Sequence, residues 1–293
     1  MTANFPRPTS RITCAGALLA TKRGPLPALG DSVSLRATRG NSLAISRPTL
    51  GIDRPGPATM PVCVSELRYV GHADLMKDLD NFTAALAGVN VVGAYLPANT
   101  PGTIEHWMLN EYYKSDEAFV FAIADAMHEE YQAIVDAGFL LQIDDPDLPD
   151  GWNCLPDISL SEYRKYATMR VDALNHALKG IPREKVRLHV CWGSHHGPHH
   201  DDIPLKDIID LIFRVNAGSF SIEASNPCHE HEWTVFEEVK LPDGATLIPG
   251  VVGHCTDFIE HPDLVAERLV RYAHCSDVRG EPIHTRGVHG ALS

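Results

Sequence analysis

His189 and Cys191 stand two apart in Leu188-His189-Val190-Cys191-Trp192-Gly193, at the end of an apolar run. If residues 186–192 form a strand, that spacing puts the imidazole and the thiol on one face. A nitrogen and a sulfur side by side suit a borderline-soft divalent ion, zinc above all. Glu223 closes a second apolar run, Gln142 and Asp144 close a third, and His254 follows a fourth. A thiol with a pKa of about 8.5 is mostly protonated at neutral pH, and zinc coordination removes that proton outright. Each residue alone also has an ordinary reading. An isolated His-x-Cys is a hydrogen-bonded histidine beside a buried small residue. Glu223 is then a surface carboxylate, and Asp144-Asp145-Pro146 a turn or helix start.

Two histidine-dense stretches compete for attention. His195, His196, His199 and His200 surround Gly197-Pro198 and run into Asp201-Asp202, which suits a solvated loop better than a metal site. His229-Glu230-His231-Glu232 lacks the i, i+4 histidine spacing that puts two imidazoles on one helical face, so it makes a poor metalloprotease helix.

The elements that must position these residues alternate. Helices are expected over 74–87 (Leu75, Leu79, Phe82 and Leu86 at helical spacing), 116–137 behind the N-cap Ser115, 161–178 behind Ser159 or Ser161, 205–215, 233–239 and 263–273. Strands are expected over 89–96, ended by Pro97, and over 139–144, 186–192, 219–223 and 246–252, with a loop over 147–158. The strands are continuously apolar and end in polar residues, the pattern of a parallel sheet covered by helices. The fold expected is α/β, a (β/α)8 TIM-type barrel with its site at the carboxyl ends of the strands, incomplete or altered at both ends.

The charge is uneven. Residues 1–50 hold seven Lys/Arg against one acid, Asp31, whereas residues 51–274 hold 16 basic and 35 acidic side chains. We therefore read 1–50 as a basic, disordered or non-native extension, 51–274 as the barrel and 275–293 as an atypical tail. The net charge of -13 speaks against a nucleic-acid partner. No apolar run approaches the roughly 20 residues of a membrane span. Seven scattered cysteines, an odd count, fit reduced thiols in the cytoplasm rather than a disulfide framework.

Taken in order, Gly56-Pro57-Ala58-Thr59, Gln142-Ile143-Asp144-Asp145-Pro146, His189-Val190-Cys191, Ser221-Ile222-Glu223-Ala224-Ser225 and Pro249-Gly250-Val251-Val252-Gly253-His254 resemble the catalytic domain of cobalamin-independent methionine synthases. The resemblance implies zinc held by His189, Cys191 and Glu223. It implies Asp144 at the amino group of a homocysteine-like thiol, Thr59 beside a folate-type methyl donor, and His254 handling a proton. The family's fourth ligand lies in an Asp-Cys-Gly motif that is missing here. Cys275 is the nearest candidate by region, with Cys255 and Cys228 as alternatives. The family's opening Gly-Ser-x-Pro element is missing from residues 1–50. The epoxyalkane:coenzyme M transferases share the zinc elements. A metal-dependent hydrolase, a barrel decarboxylase without metal and an inactive fragment remain open as alternatives.

Overall fold

The structure, a computed structural model, describes residues 12–14, 61–155, 157–193, 199–253 and 258–277. Short strands come first. β1 (Ile12–Cys14) pairs antiparallel with β3 (Leu67–Tyr69), and β2 (Val62–Cys63) pairs in parallel with β5 (Leu109–Asn110). The main sheet contains β4 (Tyr95–Asn99), β6 (Leu140–Asp144), β7 (Val186–Val190), β8 (Ser219–Glu223) and β9 (Thr246–Gly250), adjacent in that order and all parallel. The helices are α1 (His72–Leu86), α2 (Pro101–His106), α3 (Asp116–Asp136), α4 (Asp147–Cys154), α5 (Leu160–Ala177), α6 (Ile209–Ile212), α7 (Val235–Glu238) and α8 (Pro262–Asp277). Each step between neighbouring main strands passes through helix, as parallel pairing requires. Among the described residues β4 and β9 are the two edges of this sheet.

The sheet has two chemically different faces. Leu141, Ile143, Leu188, Val190, Phe220 and Ile222 alternate along three strands and are all at most 2% exposed. They share one core with Phe119, Val120, Ile123 and Ile134 of α3 and Ala167, Val171 and Leu174 of α5. Each large side chain among them, fully buried, contributes about 1.5–3 kcal/mol. The residues between the sheet's apolar positions, Gln142, Asp144, Arg187, His189, Ser219, Ser221 and Glu223, occupy the opposite face. Register places Gln142 beside Arg187, Asp144 beside His189 and His189 beside Ser221. The period of two thus sends the apolar set under the helices and the polar set to one shared surface.

Several elements differ from the sequence expectation. The strand expected over 89–96 lies instead at Tyr95–Asn99. Val89, Val91 and Val92 are exposed, so their β-branching finds no sheet to pack on. Pro97 sits inside β4, which tolerates it because an edge strand can spare one donor. The expected loop over 147–158 contains α4, started by the Asp145 carboxylate accepting the Leu148 N–H at 3.2 Å. The helix expected over 205–215 shrinks to a 3-10 turn, Leu205–Asp207, followed by α6. β7 ends at Val190, so Cys191 lies one residue beyond it. At the other end of the chain, α8 continues past the expected stop at residue 273 to Asp277 and takes Cys275 into the helix.

The helix starts agree closely. Ser115 Oγ accepts the Ala118 N–H, and Ser159 with Glu162 forms a reciprocal capping box on α5. Ser159→Ala is expected to destabilise the fold by about 1 kcal/mol, read as a lower urea midpoint with unchanged slope. An unchanged midpoint would mean that α5 is held by its buried face alone.

Candidate active site

The carboxyl ends of β6, β7 and β8 deliver Asp144, His189 and Glu223 to one face, and Cys191 follows directly on β7. Asp144 Oδ1 accepts a hydrogen bond from Gln142 Nε2 at 2.8 Å. Burial raises the Asp144 carboxyl above its usual range, while nearby His189 and Arg187 pull it back. Burial lowers His189, while the neighbouring Asp144 charge and the Ser221 backbone partly offset that shift. A lowered imidazole is neutral near pH 7 and can present a lone pair. The Cys191 thiol is pushed up to about 12 by burial, with the charges of Glu223 and Asp144 adding to the effect. Glu223 therefore acts electrostatically on both His189 and Cys191. Its Oε2 accepts the backbone N–H of Trp192 at 3.3 Å.

The donor types suit a borderline-soft divalent ion, and a thiol held protonated by burial is one that a cation would deprotonate. Among the described residues, however, no three His, Cys, Asp or Glu side chains are gathered closely enough to hold a metal ion. Cys275 lies on α8, where its Sγ is 3.4 Å from the Arg271 carbonyl and 3.7 Å from that of Trp233. Thr59, His254 and Cys255 lie outside the described residues.

Two further polar features mark this face, of which only Gln142 was singled out from sequence. Arg187, two residues before His189, carries its guanidinium over the Tyr95 ring at 4.7 Å. Gln142 Oε1 is buried with no hydrogen-bond partner. The strand period that selected His189 with Cys191 also selects Arg187, so this residue was within reach of the pattern.

Adjoining this face is a buried ionic network built from both histidine-dense stretches. Asp202 Oδ2 meets His199 Nδ1 at 2.7 Å and His229 Nε2 at 2.9 Å, and Asp202 Oδ1 accepts from Asn153 Nδ2 at 2.8 Å. His229 Nδ1 meets Glu232 Oε2 at 2.8 Å, and Glu232 Oε1 accepts the Leu205 N–H at 2.7 Å. The His229 ring stacks on Trp192 with centroids 3.7 Å apart and planes 17° apart. The 199–202 part of the expected solvated loop is thus tied down by ion pairs. No local spacing joins residues 199–202 to 229–232, which meet only through the sheet.

Burial alone would lower His229, but the hydrogen bonds and charges of Asp202 and Glu232 raise it from 6.5 to about 9. A group raised on folding adds stability that is fully present below its unfolded pKa and is lost as pH rises through the folded one. The chain is therefore expected to lose stability between about pH 6.5 and pH 9, a loss that His229→Phe should not share. Parallel melting curves of the two proteins across that window check this, and identical pH dependence would contradict it.

Comparison with known proteins identifies the family. Residues 89–283 match the family model described as "Cobalamin-independent synthase, Catalytic domain". The methionine synthase of Saccharolobus islandicus is 31% identical over 118 residues, which are 39% of this chain and 31% of that protein. The methionine synthase of Saccharolobus solfataricus is 29% identical over 133 residues, 44% of this chain and 36% of the relative. The matched segment thus spans about a third of the length of these curated relatives. A solved B12-independent methionine synthase from Shewanella sp. W3-18-1, itself in complex with selenomethionine, shares the fold with a TM-score of 0.56. The identity there is 18%, covering 74% of this chain and 60% of that one. With most of its length matched by the family model, this chain belongs to the cobalamin-independent synthase family, through that family's catalytic domain.

Proposed function

We propose that the chain is a zinc-dependent methyltransferase that moves a methyl group from a folate-type donor to the sulfur of a homocysteine-like thiol. The observation that carries this reading is the position of Asp144, His189 and Glu223 at the same end of three adjacent strands, with Cys191 one residue past β7. In this reading His189, Cys191 and Glu223 hold the metal, which, when bound, supplies the positive charge that keeps an incoming thiol deprotonated. Asp144 and the unpartnered Gln142 Oε1 offer two acceptors to the substrate ammonium, a charge-assisted contact that orients the sulfur. Thr59 borders the donor, and His254 moves the proton at the donor's leaving nitrogen. Cys275 is the candidate fourth ligand.

The same reading takes the five-stranded sheet as part of a (β/α)8 barrel, with the polar face turned inward and residues 51–274 as the catalytic unit. It places the reaction in the cytoplasm, where thiols such as Cys63, Cys154, Cys191, Cys228 and Cys275, none in a disulfide, stay reduced. The partners are small molecules only. No described helix is long and apolar enough to cross a membrane.

The test is direct. Purified chain loaded with zinc is given homocysteine and a methylated folate, and methionine is measured, with Cys191→Ser and Cys275→Ser alongside. Methionine formed by the wild-type chain and lost in Cys191→Ser supports the assignment. Zinc lost from Cys275→Ser as well makes that thiol the fourth ligand, and zinc retained makes it a core residue. No methionine from a fully loaded wild-type chain overturns the methyl-transfer reading.

A further inference from the structure

We infer that His229 is a positioning residue of this site: clamped between Asp202 and Glu232, it fixes Trp192, and Trp192 in turn fixes Glu223 and Cys191. The inference rests on the ligand roles proposed above but concerns a part of the chain that those roles leave out. His229 is 4% exposed and Trp192 is fully buried, so their stacking is a packed contact that cannot slide without opening the core. Trp192 is anchored a second time by its indole N–H, which donates to the Ile203 carbonyl at 2.8 Å. The backbone N–H of the same residue donates to Glu223 Oε2, and Cys191 is its covalent neighbour. One ring pair therefore sets both the carboxylate of β8 and the thiol that follows β7.

The placement of the network points to more than stability. Asn153 lies in the segment after β6, Trp192, His199 and Asp202 lie in the segment after β7, and His229 and Glu232 lie in the segment after β8. These three segments follow the strands that deliver Asp144, His189 and Glu223. The network ties them to one another next to the face those residues share. An apolar cluster of the same volume would hold the core as well or better, because buried ion pairs recover little more than their desolvation cost. What the ionic network adds is directionality: each partner has one acceptable place. A misplacement of about 1 Å at a reacting group costs about 10²-fold in rate, so such fixing has a value that stability does not measure.

The experiment reads Cys191 itself, without zinc or substrate. Metal-free wild type, His229→Phe and Asp202→Asn are treated with iodoacetamide under native conditions, and alkylation of each cysteine is followed by peptide mass spectrometry. Alkylation replaces the thiol proton with a carboxamidomethyl group and releases iodide and a proton, so it reports access to the sulfur. Cys191 is expected to react at least about tenfold faster in both variants, while the buried Cys63, remote from the network, keeps its wild-type rate. Equal acceleration of all buried cysteines would reveal general loosening and overturn the proposal, as would no acceleration at Cys191. If Asp202→Asn fails to fold, Trp192→Phe takes its place, since it keeps a stacked ring and loses the indole hydrogen bond.

In zinc-loaded protein, His229→Phe should lower kcat by about 10²-fold with KM nearly unchanged. A selective rise at Cys191 without measurable methyl transfer in the wild type would sink the proposed reaction and leave the positioning role standing. Methyl transfer with no change at Cys191 would do the reverse.

Discussion

Cys191→Ser should remove zinc from the chain and cut methyl transfer to a homocysteine-like thiol by more than about 10²-fold, beyond the loss usual for residues that merely support a ligand. The substitution preserves size and leaves the backbone hydrogen bonds that end β7 in place, so the fold should survive it. A serine hydroxyl is not deprotonated at neutral pH as a zinc-bound thiol is, and it is a poorer partner for a borderline-soft ion. The burial that pushes the Cys191 thiol up to about 12 sharpens the expectation. In the absence of a cation this sulfur is neutral and contributes no charge. If it is a ligand, its metal-bound state differs from its metal-free state by a proton. Metal analysis, a melting curve and the methionine assay on one preparation decide the matter. Retained zinc with retained activity would show that Cys191 is the buried small residue of the ordinary reading.

Phe220→Ala should destabilise the fold by about 3–5 kcal/mol, whereas its neighbour Ser221→Ala should cost under about 1.5 kcal/mol. The two residues are adjacent in β8 and both are buried, but they point to opposite faces. Phe220 packs with Phe213 at a centroid distance of 5.0 Å inside the core shared by the sheet and helices. Ser221 acts on His189 through its backbone, which alanine retains. Urea unfolding of both variants measures the difference. Equal losses would mean that the sheet does not divide into a supporting face and a chemical face, and the site would lose its scaffold.

The strand ends were legible in the sequence, because an apolar run closed by polar residues is a local signal, whereas the division of the sheet into two faces emerged only from the burial along its strands. That signal placed Asp144, His189 and Glu223 at strand ends, and the helices behind Ser115 and Ser159 were equally clear because capping is local too. What escaped was whatever depends on neighbours distant in the chain. Among the described residues, Val89, Val91 and Val92 have strand-forming side chains but no sheet beside them, while Tyr95–Asn99 pairs despite Pro97 because it lies at an edge. The short helix Asp147–Cys154 is the exception: its start signal at Asp145 is local, and the Pro/Asp/Gly composition that resembles a loop outweighed it. The network of His199, Asp202, His229 and Glu232 was unreadable because it joins segments distant in the chain. Its two halves are brought together only by the parallel pairing of β7 with β8.

The most direct test of the central claim is X-ray absorption at the zinc edge on the wild-type chain and on His189→Ala, Cys191→Ser and Glu223→Ala, before and after homocysteine is added. The account predicts one zinc per wild-type chain, a metal environment of mixed nitrogen, oxygen and sulfur that gains a sulfur with homocysteine, and zinc weakened or lost in every variant. A wild-type chain that takes up no zinc, or one whose zinc environment is untouched by homocysteine and by all three substitutions, would contradict it.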